Sequence, residues 1–448
     1  MRLPSWFAER PAAAPEPDLR VSTLELFFDL VFVFTITQLT ALLVAGMEAP
    51  PPGHRAVGIG ESALQVLLVF GVMWWMYAGY VWLLNSVPPV RPARRILVLL
   101  GMAGFLVMAL AIPSTFMGGG VAFAVGYLLL ILVHSALYAQ ATRAIVRVVP
   151  FNLAATALIG VAGFLETPYS YLPWIAALVL LWGSPYFIGQ QGFALRAAHV
   201  VERHGLLVIV VLGESMLALG IGAKDLPVDL GLGVAGVLAL CLAACLWWAY
   251  FAGEDERAAE HTLAATEPVR RTRMILGAYF YGHIPMLLGV VAVSGGIKKV
   301  IGHPVDPLKP SAAIVLAVGV TLYLAGDFWF RRMLRLPWAR VKGVVAVAAP
   351  AAALAGLWAG LAELAILVAL LVAMLLALHH RTPAPRLSTG SRRTESRRTG
   401  CRETRAAVKR AEPLPFTGGR GTRGAPALDG CSSGAGARCL LVGELTPF

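Results

Sequence analysis

Stretches of about twenty mainly apolar residues recur along the chain, divided by short connections in which proline, glycine and arginine collect. That length in helical form spans a bilayer core of about 30 Å. The runs fall near residues 24–46, 62–84, 95–113, 119–140, 150–166, 171–189, 204–223, 229–252, 274–297, 311–330, 341–358 and 360–380. The pattern predicts an all-α integral membrane protein of twelve transmembrane helices. Basic residues test the count, because cytoplasmic loops retain Lys and Arg. Connections after even-numbered spans carry sixteen, among them Arg91, Arg94, Arg95, Arg270, Arg271 and Arg273, whereas those after odd-numbered spans carry five: Arg55, Lys224, Lys298, Lys299 and Lys309. The expectation is a multi-pass protein of a bacterial cytoplasmic membrane with both termini in the cytoplasm.

Composition agrees: 58% of the 448 residues are hydrophobic and 14% charged, against about 25% charged in soluble domains. Of the net charge of +12, +8 lies in residues 381–448, so the total describes a tail and gives no reason to expect a nucleic-acid partner. Three parts follow: a Pro-rich arm over 1–20, a membrane domain over 21–380, and a tail over 381–448 too poor in apolar residues to fold. That basic tail either meets anionic lipid or is the out-of-frame end of a GC-rich reading frame. Cys241 and Cys245 lie in an apolar run and Cys401, Cys431 and Cys439 in the tail, a spacing that gives no metal or disulfide signature. No metal or cofactor is expected.

A duplication is visible within the membrane domain. Trp74-Trp75-Met76-Tyr77 of the second span recurs as Trp247-Trp248-Ala249-Tyr250 of the eighth, 173 positions on, and Arg95 with Gly101 recurs as Arg271 with Gly277. Halves of about 21–195 and 196–380 hold six spans each, an even number that gives both copies the same orientation, as in transporters built from parallel repeats.

Ionisable groups inside a bilayer are costly and become candidates for function on that ground. On the first span Glu25, Asp29 and Thr37 fall within about 120° of arc, with Gln38 beside them. The seventh begins His199-Val200-Val201-Glu202-Arg203 and continues to Glu214, whose carboxyl lies about 18 Å beyond Glu202 by helical rise. His199, Arg203 and Glu214 share one face within about 60°. On the ninth span His283 lies about 15 Å past Arg273, and Pro285 should free a carbonyl near its imidazole. Glu214 and His283 are expected to face one interior cavity with Asp29. Asp327 is expected to pair with Arg331 one turn on, Glu363 opens the last span, and His134 is a weaker candidate.

The motifs Glu25-Leu26-Phe27-Phe28-Asp29-Leu30-Val31-Phe32-Val33-Phe34, His199-Val200-Val201-Glu202-Arg203-His204-Gly205-Leu206, Leu212-Gly213-Glu214-Ser215 and Tyr281-Gly282-His283-Ile284-Pro285 resemble those of the bacterial low temperature requirement protein A (LtrA) family over residues 20–380. The resemblance implies a bacterial membrane protein and assigns no reaction. Phe28-Asp29 is also similar to the Phe-Ser-Asp motif on the first helix of potassium channels built from six-span repeats, with Phe28 standing where that motif has Ser.

Three functions remain open. The repeat and the buried acids favour movement of a small ion, a proton or a small solute along a polar path between helices. A non-catalytic scaffold or component of low-temperature or stress adaptation would use the same acids for packing. An enzyme acting on lipid is disfavoured, because the chain has no Gly-x-Ser-x-Gly, His-Glu-x-x-His or Gly-x-x-x-x-Gly-Lys motif.

Overall fold

Ser22 caps the first helix in a reciprocal box: its hydroxyl accepts the Glu25 N–H while Glu25 reaches back to the Ser22 N–H. From that start the computed structural model, which describes residues 21–49, 55–188, 195–251 and 255–381, is helical and, among those residues, without a strand. The expected N-terminal arm and the tail from 382 onward lie outside them.

The helices are α1 (Thr23–Ala45), α2 (Ile59–Ser86), α3 (Pro92–Ala111), α4 (Gly120–Tyr138), α5 (Val149–Ala162), α6 (Tyr171–Ile188), α7 (Ala197–Gly222), α8 (Leu230–Phe251), α9 (Asp255–Ala264), α10 (Pro268–Ile275), α11 (His283–Gly302), α12 (Pro310–Leu334), α13 (Ala339–Ala348), α14 (Ala353–Gly356) and α15 (Gly360–Arg381). Proline opens α3, α10 and α12, where its missing N–H costs nothing. Among the described residues ten helical stretches are long and apolar enough to cross a membrane. Each expected span overlaps helix among the described residues; Pro92–Tyr138 enters the ten as one stretch, and α5, at 14 residues, is shorter than a full crossing. The chain is an all-α multi-pass membrane protein.

That long stretch breaks at Gly118, whose φ of +99° lies in the left-handed region and needs a residue without Cβ. Past the break α4 folds back on α3. A Cβ added to Gly104 would stand 2.9 Å from the Gly126 carbonyl oxygen, and one on Gly126 would stand 2.9 Å from that of Gly104. Gly289 and Gly319 give α11 and α12 the same backbone-to-backbone approach, at 2.7 and 2.9 Å. Small residues allow this packing in lipid, where no hydrophobic force drives helices together.

Helix neighbours follow a similar order from α1 to α6 and from α7 to α15. Helix α1 touches α2 and α3, α3 lies on α4, α4 on α5, α5 on α6, and α6 returns to α2. From α7 onward, α7 touches α8 and α11, α11 lies on α12, α12 on α13, α14 on α15, and α15 returns to α8. Helix α1 also packs on α7 and α11. The tryptophan motifs differ in surroundings: Trp74 is buried and donates its indole N–H to the Phe280 carbonyl at 3.1 Å, whereas Trp247 and Trp248 are exposed on the outer surface. Apolar side chains such as Leu106, Leu110, Val125 and Leu132 face outward as well, which suits contact with acyl chains.

Candidate functional site: a buried ionic cluster between the first and seventh helices

Helices α1 and α7 meet at their N-terminal ends, and the acids of one meet the bases of the other. Arg203 donates through Nη1 to Glu25 Oε2 at 2.6 Å and through Nη2 to Asp29 Oδ1 at 2.8 Å. His199 Nε2 lies 2.9 Å from Glu25 Oε2. From α2, Tyr77 donates its hydroxyl to Asp29 Oδ1 at 2.8 Å, and the Arg203 guanidinium stands 5.8 and 5.9 Å from the Phe28 and Tyr77 ring centroids. All four ionisable groups are buried to within 1% of complete exclusion. Such burial is tolerable only with paired charges and satisfied hydrogen bonds.

Asn85 of α2 supplies the outer support. Its Oδ1 accepts the Arg196 N–H at 2.9 Å, and its Nδ2 donates to the Arg196 carbonyl at 3.1 Å while standing 3.2 Å from His199 Nδ1. Glu25 receives a further hydrogen bond from the Ser22 hydroxyl at 2.9 Å.

Farther along the same pair of helices lies a second polar contact. Thr37 of α1 donates to Glu214 Oε2 at 2.6 Å, and Ser215 meets Ser294 of α11 at 3.2 Å between hydroxyl oxygens. Glu214 is buried. Arg203 and Glu214 are eleven positions apart on one helix, about 16 Å by helical rise. The expected residues therefore separate into groups. Glu25, Asp29, His199 and Arg203 form one cluster and Thr37 and Glu214 a second contact. Gln38 is half-buried and belongs to neither, and Glu202 accepts the Val21 N–H at 3.2 Å outside the cluster.

His283 does not join Glu214. It sits with Tyr250, Tyr279, Phe330 and His204, whose ring centroid is 5.1 Å away. The Gly282 N–H bonds back to Gly277, a π-type step over Leu276–Tyr281, and so leaves the Ala278 carbonyl free for His283 Nδ1 at 3.1 Å. The freed carbonyl near the imidazole thus comes from this π turn and not from Pro285. Tyr250 stands 3.2 Å from His283 Nε2, so the ring bonds at both nitrogens, as a neutral imidazole can.

A further network lies where the sequence pattern predicts only a local pair. Arg331 Nε does donate to Asp327 Oδ1 at 3.0 Å, but its Nη2 also reaches Asp255 of α9 at 2.7 Å and the Ala249 carbonyl at 3.0 Å. Lys342 of α13 completes it, bonded to Asp327 and to the Ala249 carbonyl. Two acids face two bases, so the network is electrically balanced, and it ties α8, α9, α12 and α13 together.

The match to known proteins follows the same residues. A model of the family described as bacterial low temperature requirement A protein (LtrA) matches residues 20–378, from just before the capped start of α1 into α15. The chain belongs to the LtrA family. It is also similar to an uncharacterised protein of Rhizobium meliloti (strain 1021), 29% identical over 349 residues that cover 72% of this chain and 81% of that protein. In this LtrA-family member, sequence reasoning finds the acids and bases of α1 and α7 but misses Tyr77, Asn85, Asp255 and Lys342. The signal for Tyr77 was present: Tyr77 and Tyr250 occupy the same place in the two tryptophan motifs, and each hydroxyl meets a buried ionisable group.

Proposed function

We propose that this LtrA-family protein moves a small ion, a proton or a small solute across the bacterial cytoplasmic membrane along the seam between α1 and α7. The observation that carries this reading is the placement of buried polar side chains at two depths of one helix pair, the ionic cluster first and Thr37 with Glu214 beyond it. Ionisable groups within a membrane domain face pathways or partners and avoid lipid.

The architecture adopted with this reading has twelve crossings in two six-span halves of the same orientation, and the ends near Ser22 and Arg381 lie in the cytoplasm. The recurring order of helix neighbours and the alternation of basic loops support it. Substrate paths of parallel-repeat transporters run between the halves, and the α1–α7 seam is such a boundary.

Flux in proteoliposomes is the test. Purified full-length protein, reconstituted with proton-, sodium-, potassium- and solute-sensitive readouts, should move at least one of them above empty vesicles, and Glu214→Gln should reduce that flux. No movement across the panel would sink the proposal and leave the acids as packing elements of a membrane scaffold.

A further inference from the structure

The α1–α2–α7 cluster carries one negative charge more than its positive charges offset, and the surrounding hydrogen bonds fix which carboxylate oxygen is left without a partner. Asn85 binds the Arg196 backbone at both ends, Oδ1 to the N–H at 2.9 Å and Nδ2 to the carbonyl at 3.1 Å. Exchanging the amide oxygen and nitrogen would oppose donor to donor and acceptor to acceptor, so the orientation is determined by the network. Nδ2 therefore presents a hydrogen to His199 Nδ1, 3.2 Å away, and that nitrogen must accept. The single ring hydrogen then resides on Nε2, toward Glu25 at 2.9 Å, and His199 is neutral.

Arg203 offsets one of Glu25 and Asp29, Tyr77 is a neutral donor, and one carboxylate charge remains in a site closed to water. The neighbouring ionisable groups do not supply the missing charge. Glu202 is acidic and bonds the Val21 N–H, while His204 and His283 direct their Nδ1 atoms to the Val200 and Ala278 carbonyls. A buried charge without a counter-charge costs several kcal/mol.

The two acids differ in their surroundings. Glu25 has Arg203, His199 and Ser22 around its two oxygens and lies in the first turn of α1, where the helix dipole favours an anion. Asp29 lies a turn deeper, beyond that influence. Its Oδ1 takes both Tyr77 and Arg203, and its buried Oδ2 has no partner.

We infer that Asp29 Oδ2 is the binding site for one exchangeable proton, held beside the Arg203–Glu25 pair. The site deepens the translocation reading, because it names the species that a movement of α1 against α7 would take up or release. Proton loss leaves Arg203 shared by two carboxylates, and proton gain frees it to bind Glu25 alone. The charge count stands whether or not flux is found.

Infrared spectra of the purified full-length protein in nanodiscs at pH 7 test this through the carbonyl stretch of a protonated carboxyl group. A band present in wild type should be absent in Asp29→Asn, and Glu25→Gln should weaken it, because Arg203 then has a charged Asp29 alone to offset. Asn resembles a neutral Asp in shape, so Asp29→Asn should fold in wild-type yield; Tyr77→Phe, which removes only one hydrogen bond, should shift the same band without abolishing it. In Asn85→Ala the band should weaken while the His199 ring nitrogens report an imidazolium, the proton having a new place to reside. Identical spectra for wild type and Asp29→Asn, with no shift in Tyr77→Phe, would overturn the assignment. So would a band that appears only when sodium and potassium are removed, which would make the site one for a metal cation. Flux and spectrum fail separately: a band without flux defeats translocation alone, and flux without the band defeats the proton site alone.

Discussion

Arg203 reaches Glu25 at 2.6 Å across 178 positions of sequence, so the contact exists only because α1 and α7 are packed together. The guanidinium also holds Asp29, a two-acid grip that an ammonium cannot copy, since Lys lacks the planar fork. Removing one partner of a buried ion pair costs about 3–5 kcal/mol through the charge left behind. Arg203→Leu should therefore lose most of its monodisperse yield in detergent, and Arg203→Lys should fall between it and wild type. Adding Glu25→Gln to Arg203→Leu should restore part of the loss, because Glu25 carries the charge left behind. Equal melting temperatures for wild type and Arg203→Leu in a detergent thermal-shift assay would contradict this.

The balanced network around Asp327 should behave as a structural tie. Lys342→Met leaves Asp327 and Asp255 to share Arg331 alone and should destabilise by about 3–5 kcal/mol, whereas the pair Asp327→Asn with Lys342→Met should cost less than the sum of the two. Contacting residues commonly show coupling of about 0.5–3 kcal/mol. A double-mutant cycle on thermal stability measures it, and strict additivity would show that the two groups do not interact. Flux per folded molecule should change little in any of these variants.

The hydrophobic pattern made the helices legible because each run is long, and it placed Glu25, Asp29, Arg203 and Glu214 because charge stands out in apolar sequence. Partners were not legible. Tyr77 and Asn85 look like ordinary residues of an apolar span until α2 is packed on α1 and α7, and nothing local indicates that Lys342 will meet Asp327. Spacing suggested that Asp327 pairs with Arg331, which is correct at 3.0 Å, yet periodicity within one helix says nothing of Asp255 on another. His283 shows the same limit: its depth follows from helical rise, but rotation about the axis decides its neighbours, and it faces Tyr250 rather than Glu214.

Close backbone contact makes a sharp prediction about glycine. Gly319→Ala places a methyl group 2.7 Å from the Val293 nitrogen and 2.9 Å from the Gly289 carbonyl oxygen, and backbone cannot yield as a side chain does. Overpacking of this kind costs about 1–3 kcal/mol, so the variant should melt lower. Gly213→Ala meets nothing within 4 Å on the neighbouring helix α7 and should be neutral or gain up to about 1 kcal/mol from helix propensity. The comparison is a thermal shift in one detergent, and an equal response of the two variants would count against the tight α11–α12 contact.

Side of the membrane is testable at described positions. In a background without native cysteines, single cysteines at Glu48 and Lys224 should react with an impermeant maleimide from outside intact cells, and cysteines at Arg143 and Arg270 only after the cells are opened. Glu48 and Lys299 form an ion pair between the ends of α1 and α11, so a cysteine at Lys299 should label from the same side as one at Glu48. Labelling of Arg143 and Glu48 from the same side would break the even-parity topology.

Glu214 separates a pathway group from a packing group. Its Oε2 accepts the Thr37 hydroxyl at 2.6 Å, and the side-chain carbonyl of Gln can accept the same bond, so Glu214→Gln should keep wild-type yield and melting temperature while losing the ability to carry charge. Thr37→Val removes the donor and leaves the buried carboxyl oxygen without it, a loss worth about 1–3 kcal/mol when the acceptor is buried, so that variant should be less stable. Glu363, buried near the start of α15 with both oxygens lacking a hydrogen-bond partner, provides the control. If Glu214 acts along the α1–α7 seam, Glu214→Gln should reduce flux per folded molecule at least tenfold, about 1.4 kcal/mol on the rate-limiting barrier, and Glu363→Gln should leave it near wild type. Flux normalised to monodisperse protein decides the matter, and full activity in Glu214→Gln would remove this carboxyl from the pathway.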